Sequence, residues 1–247
     1  MTSTDFSAVF WKEWKEIVLE RSAGGAGSYR PLILVALLGI LLPLRMGPAR
    51  FFTPSQLLIY SFFSAVVVTA VIADSFAGER ERHTLETLLA TRLSDRAILF
   101  GKIAASLAYG WLVAMLCVLC GTITVNVANW DGHLLLYRDW ASWLVLLLGP
   151  PLVGGVVATA GVLISLHAAT VRHAQQTLMV GFTILFLGVI FGGNMLPDAW
   201  KLWFGGILVA WSPAALVLAG AGVVLMIDIA LLLAGMARFQ RARLVLD

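Results

Sequence analysis

Long uncharged runs separated by short polar breaks make up most of this chain, and the spacing of apolar positions changes character near residue 28. Before that point the period is helical and one-sided. Phe6, Phe10, Trp14 and Ile17 fall on one side with Trp11 and Val18, while Lys12, Lys15, Glu16 and Glu20 fall on the other. A helix with aromatic rings on one face and charges on the other lies along a membrane surface rather than across it. Ser22 to Ser28 are Gly-rich and predict a flexible hinge. After the hinge the apolar runs are long enough to cross a bilayer, whose core of about 30 Å needs roughly 20 helical residues. Six spans are expected, at about 30–47, 56–77, 97–127, 141–168, 177–194 and 213–237. Pro150 and Pro151 are expected to kink or break the fourth. Residues 195–212 carry Pro197, Asp198, Lys201, three Trp and a central Gly205-Gly206, and read as a re-entrant or interfacial pair of half-helices.

Composition agrees with this pattern. The chain is 60% hydrophobic and 13% charged over 247 residues, with a mean hydropathy of +0.91, which excludes an ordinary soluble core. The fold class expected is an all-α membrane protein. Residues 1–29 form an N-terminal interfacial elbow helix and hinge, and residues 30–247 form one six-span domain. No secretory signal peptide is expected, because Glu13, Glu16 and Glu20 interrupt the opening segment and no cleavage site follows. The net charge of +3 matters less than its placement. With both termini cytoplasmic, thirteen of the seventeen Lys and Arg fall inside and only Arg45, Arg50, Arg138 and Lys201 outside. The positive-inside rule therefore selects six spans with both ends in the cytoplasm of a prokaryotic (inner) membrane.

Catalytic signatures are missing. No G-x-x-x-x-G-K-[ST] loop occurs, since Gly101-Lys102 is followed by Ile103 and lacks the upstream Gly. No H-E-x-x-H, G-x-S-x-G or paired metal-ligand motif is present, and Ser165 with His167 does not make a nucleophile–base pair. Cys117 and Cys120 have a C-x-x-C spacing but lie in an apolar run without a His or acidic neighbour, and are read as packing residues. The chain is not expected to be an enzyme, to bind a metal or to engage nucleic acid.

The most polar stretch, Gly78 to Arg96, carries the chemistry. It predicts a short cytoplasmic helix, about 78–93, between spans two and three. Leu85, Leu88 and Leu89 share one face, with Glu79, His83 and Glu86 beside them. Ser94 suits an N-cap for the third span. By spacing alone this stretch is either a docking element or a solvated loop that sets topology. Phe76 to Lys102 resembles the region after the second span in ABC-2 type transporter permeases, which often reads A-G-E-[KR]-E-x-x-T-L-E-x-L-L-x-[ST]-P-[VL]-S-x-x-x-I-[LV]-x-G-K. Arg92 stands where Pro is frequent and His83 where a small residue is common.

The resemblance implies that the 78–93 helix is a coupling helix docked on a separate ATPase, which would hold the ATP and Mg. It implies an exporter with a second permease copy or a paralogous permease. Leu85, Leu88 and Leu89 would be its anchors, and Glu79, Arg82 and Glu86 its charged rim. The alternative is an ATP-independent membrane enzyme or assembly factor. Asp228 lies ten residues before Arg238, about 15 Å into the bilayer at 1.5 Å per residue. It reads either as a possible translocation-path residue or as hydrogen-bonding glue between spans. Asp74 and Lys102, near span ends, read as interface or snorkelling residues.

Overall fold

The computed structural model describes residues 3–22, 30–82, 92–166, 168 and 170–238, and these are mostly helical with no strand among them. The Gly-rich 23–29 segment and residues 83–91 lie outside the described residues. Helix α1 spans Ser3–Ser22. The first expected span is a helical run built of α2 (Arg30–Ala36), a π turn (Leu37–Leu41) and α3 (Leu42–Met46). Gly47, at φ 71°, ends it in the left-handed region that favours glycine, and Pro48 opens the short α4 (Pro48–Phe51). Helix α5 (Pro54–Ala73) continues through a second π turn (Asp74–Gly78) into α6 (Glu79–Glu81). The remaining helices are α7 (Asp95–Ala128), α8 (Trp140–Ser165), α9 (Val171–Met195), α10 (Asp198–Ala210) and α11 (Pro213–Arg238).

Four of these helical stretches are long and apolar enough to cross a membrane: Pro54–Glu81, Asp95–Ala128, Trp140–Ser165 and Pro213–Ala237. Leu32–Met46 is apolar but shorter. Ser94 caps α7 as the spacing predicts, accepting from the Ala97 amide at 3.3 Å. Asp139 does the same for α8 through the Ser142 amide at 2.8 Å. Of the kink or break expected at Pro150 and Pro151, the break does not occur, since helix α8 is continuous from Trp140 to Ser165; the two lost amide bonds are tolerated where neighbouring helices hold both flanks. One expectation changes: residues 198–210 form one helix that passes through Gly205-Gly206 rather than two half-helices. At 13 residues it is about 20 Å long, too short for a crossing.

The core is the α5–α7–α8 unit, in which each helix packs on the other two. Small residues set its spacing, as they do where helices associate in lipid without a hydrophobic driving force. A Cβ at Gly110 of α7 would lie 2.5 Å from Val68 of α5, and one at Gly161 of α8 would lie 2.5 Å from Ile72. The π turn at Leu37–Leu41 docks on α7. Its carbonyls take hydrogen bonds from Tyr60 (to Leu38, 2.9 Å) and Thr124 (to Gly39, 3.0 Å). Cys117 and Cys120, both free thiols, pack beneath Gly39. Helix α11 is peripheral: it packs on α8, and its apolar window has no buried residue, against 67% for the α5 window.

Candidate functional site

The π turn at Asp74–Gly78 carries α5 beyond its apolar run and delivers four consecutive charges, Glu79, Arg80, Glu81 and Arg82, to the root of the 83–91 segment. Each reaches a different part of the molecule. Glu79 Oε1 pairs with Lys102 of α7 at 3.0 Å and with Lys12 of α1 at 3.2 Å. Arg80 donates to the Leu166 carbonyl at 2.6 Å and to that of Ala168 at 3.4 Å. Glu81 accepts from the Val171 amide at 3.3 Å. Arg82 pairs with Asp74 at 3.3 Å. The signs follow the helix dipoles: a guanidinium meets the carbonyls at the end of α8, and a carboxylate meets the first amide of α9.

Lys102 is the centre of this clasp. It is 1% exposed, and its three N–H groups have three acceptors. These are Glu13 Oε1 at 2.8 Å, the Ser75 carbonyl at 2.7 Å, and Glu79 Oε1. Ser75 Oγ completes Glu13 by donating to Oε2 at 2.9 Å. Lys12 lies 3.3 Å from both Glu13 and Glu16. Gly101 lets α1 approach, since a Cβ there would sit 2.6 Å from Val9 Cγ1. Burial alone would raise the Glu13 pKa, but the charge and hydrogen bond of Lys102, with Lys12 and Ser75, hold it below the usual carboxylate value. Burial likewise opposes the charge on Lys12, and Glu13, Glu79 and Glu16 more than offset it, so its pKa is raised. A cleft of about 60 Å³ lies against the clasp between Glu16, Asp74, Glu79 and Lys102, roomy enough for water.

This geometry corrects several sequence readings. Lys102 does not snorkel; its ammonium is held inside the protein. Helix α1 packs through Val9, Glu13 and Ile17, one turn apart each, with Phe10 and Trp14 half-buried, whereas Trp11 and Val18 are exposed. The packed face is therefore rotated from the aromatic stripe toward Glu13, because α7 offers a buried cation there. Of the residues expected to couple to a partner, Glu79 faces inward and Arg82 rests on Asp74. Leu85, Glu86, Leu88 and Leu89 lie outside the described residues. Lys12, Glu13, Ser75, Arg80 and Glu81 were missed. The available signal was an acidic residue centred in the apolar Val9–Ile17 spacing.

Asp228 stands elsewhere, on the α8-facing side of α11. A Cβ at Gly155 would lie 2.7 Å from Asp228 Oδ2, so the carboxylate fills the notch that this glycine leaves. Its Oδ1 is buried and has no hydrogen-bond partner among the described residues. The hydrogen-bonding glue that the sequence left open has no counterpart there.

Comparison with known families adds the context. The family model described as ABC-2 type transporter matches residues 4–228. A search of curated proteins finds no significant match. The match takes in α1, the clasp and every helix through most of α11, and with the apolar helices it describes a multi-pass membrane protein. The chain belongs to the ABC-2 type transporter family, as the permease component of an ABC transporter.

Proposed function

We propose that this chain is the permease of an exporter in a prokaryotic inner membrane, with six spans and both termini cytoplasmic. It works as a dimer with itself or a paralogous permease. A separate ATPase, carrying ATP and Mg, docks on the 78–93 segment. Membership of the family implies an ABC ATPase partner in general; export, this docking segment and this stoichiometry are the finer reading. The observation that carries it is the clasp. A segment rooted in residues bonded to α1, α7, the end of α8 and the start of α9 cannot be pushed without loading all four. Binding energy released at the segment is thereby delivered to the helices as a rigid-body displacement rather than lost in a floppy loop.

Because Glu79 is engaged inside the chain, reversing its charge would disturb the fold as well as any docking. Glu86 and Leu88 give the cleaner test. The charge reversal Glu86→Lys combined with Leu88→Ala removes a rim charge and an apolar anchor. The expected outcome is normal membrane insertion with loss of ATPase co-purification, or retained ATPase whose hydrolysis no longer drives transport. Asp131→Lys, on an exposed turn between α7 and α8, serves as the control. Co-purification and coupled transport at wild-type levels in the Glu86/Leu88 variant would remove the docking role.

A further inference from the structure

Asp228 lies at the same depth by two independent counts. It is ten residues before Arg238 on α11, and its neighbour Gly155 is ten residues before Ser165 at the end of α8; each count gives about 15 Å. A carboxylate at such depth is costly and is kept where something compensates it. Nothing described in this chain does so. Oδ1 is buried without a hydrogen-bond partner among the described residues. Thr159, one turn from Gly155, donates its hydroxyl to the carbonyls of Gly155 and Val156 instead. The later helices of a second copy offer no cation at that depth either. Between residues 102 and 138, 138 and 172, 172 and 201, and 201 and 238 the sequence has no Lys or Arg, and the buried Lys102 already has three acceptors. On α11 the residues one turn either side are apolar, Val224 and Leu232, both half-buried.

An anion with one bare oxygen, a glycine notch behind it and an apolar rail along it matches a particular ligand chemistry. We propose that Asp228 and the Gly155 notch form a recognition site for the protonated amine of an amphiphile, whose apolar body lies along the seam of α8 and α11. The ammonium supplies the charge the chain lacks, and the tail replaces lipid against Val224 and Leu232. That such a molecule is cargo rests on the permease reading; that it binds here does not.

The test uses the full chain in lipid nanodiscs without any ATPase, with tritiated dodecylamine as the probe and empty nanodiscs as the background. Saturable binding is expected, displaced by unlabelled dodecylamine and not by dodecanol. Asp228→Asn should weaken it tenfold or more. Gly155→Ala, which keeps the carboxylate but forces it from its notch, should weaken it several-fold. Wild-type affinity in Asp228→Asn, or dodecanol competing as well as dodecylamine, overturns the site. Should Asp228→Asn fail to fold, Gly155→Ala decides, since unchanged affinity there also overturns it. Amine binding by a chain with which no ATPase co-purifies from its native membrane would leave the site standing and remove the cargo reading. ATP-driven transport without amine binding would do the reverse.

Discussion

Lys102 and Asp228 are both ionisable side chains set among apolar helices, and the protein treats them oppositely. Lys102 is buried between three oxygens from α1, the π turn and α6. Asp228 sits half-buried against a glycine, with an oxygen that no described residue satisfies. A buried charge with a complete set of partners fixes a geometry, because any displacement leaves one of them uncompensated. A charge without partners fixes nothing in its own chain. Its cost is tolerated only if it is neutralised or if another molecule completes it. The clasp therefore reads as construction and the Asp228 notch as a place of exchange.

The sharpest way to break this contrast is to delete both charges and compare. Lys102→Met leaves Glu13 and Glu79 side by side with only the half-exposed Lys12 between them, and loss of one partner from a buried pair costs about 3–5 kcal/mol. Asp228→Leu removes a group whose buried Oδ1 has no hydrogen-bond partner among the described residues, and should leave the unfolding midpoint unchanged or raise it. Thermal unfolding in detergent, followed by helical circular dichroism, measures both. Adding Glu13→Gln and Glu79→Gln to Lys102→Met should recover most of the loss, since the stranded carboxylates go with it. A stability loss in Asp228→Leu equal to that in Lys102→Met would mean that Asp228 is structural and the contrast mistaken.

A smaller effect separates the clasp by pH. The folded Glu13 pKa lies below its unfolded value, near 4.3 for a free Glu. Its contribution is therefore fully present above the unfolded pKa and is lost as pH falls through the folded one. The stability gap between wild type and Glu13→Gln should stay constant from neutral pH down to about 5 and narrow only in more acid solution. A gap already closing between pH 7 and 6 would mean that the Glu13 pKa is not lowered. Asp228→Asn should not reproduce this acid dependence.

What the sequence disclosed follows from how far apart the cooperating residues lie. Where the signal is local a helix limit was legible, as at Ser94, which caps α7 three residues from its amide. The clasp was not legible, since Glu13 and Lys102 are 89 positions apart and Arg80 finds its carbonyls 86 and 88 positions away. The π turn at Asp74–Gly78, which aims the Glu79–Arg82 charges, depends on tertiary contacts rather than on any residue pattern in those five positions. Resemblance supplied the Gly78-Glu79 and Gly101-Lys102 motifs without their reason. The reason is steric and electrostatic. Gly101 admits Val9, and Lys102 then meets both Glu13 and Glu79. Asp228 was legible at once, as a charge in an apolar run, but its notch was not, because Gly155 is on another helix.

The smallest effect belongs to the outer edge of the clasp. Arg82 and Asp74 meet at 3.3 Å, and their side chains are 54% and 41% exposed. Water competes for both ends of such a pair, and ordering the long Arg side chain offsets much of the attraction, so exposed pairs contribute about 0.2–1 kcal/mol. Arg82→Ala should therefore lower stability by no more than about 1 kcal/mol, and added salt should shrink even that difference. Lys102→Met should keep its penalty in the same salt, since ions do not reach a fully buried pair. The comparison is read from unfolding midpoints of the two variants at low and high sodium chloride. If Arg82→Ala proved as damaging as Lys102→Met, and equally insensitive to salt, the boundary between a sealed centre and a hydrated rim would be wrong. The whole Glu79–Arg82 run would then act as one buried unit.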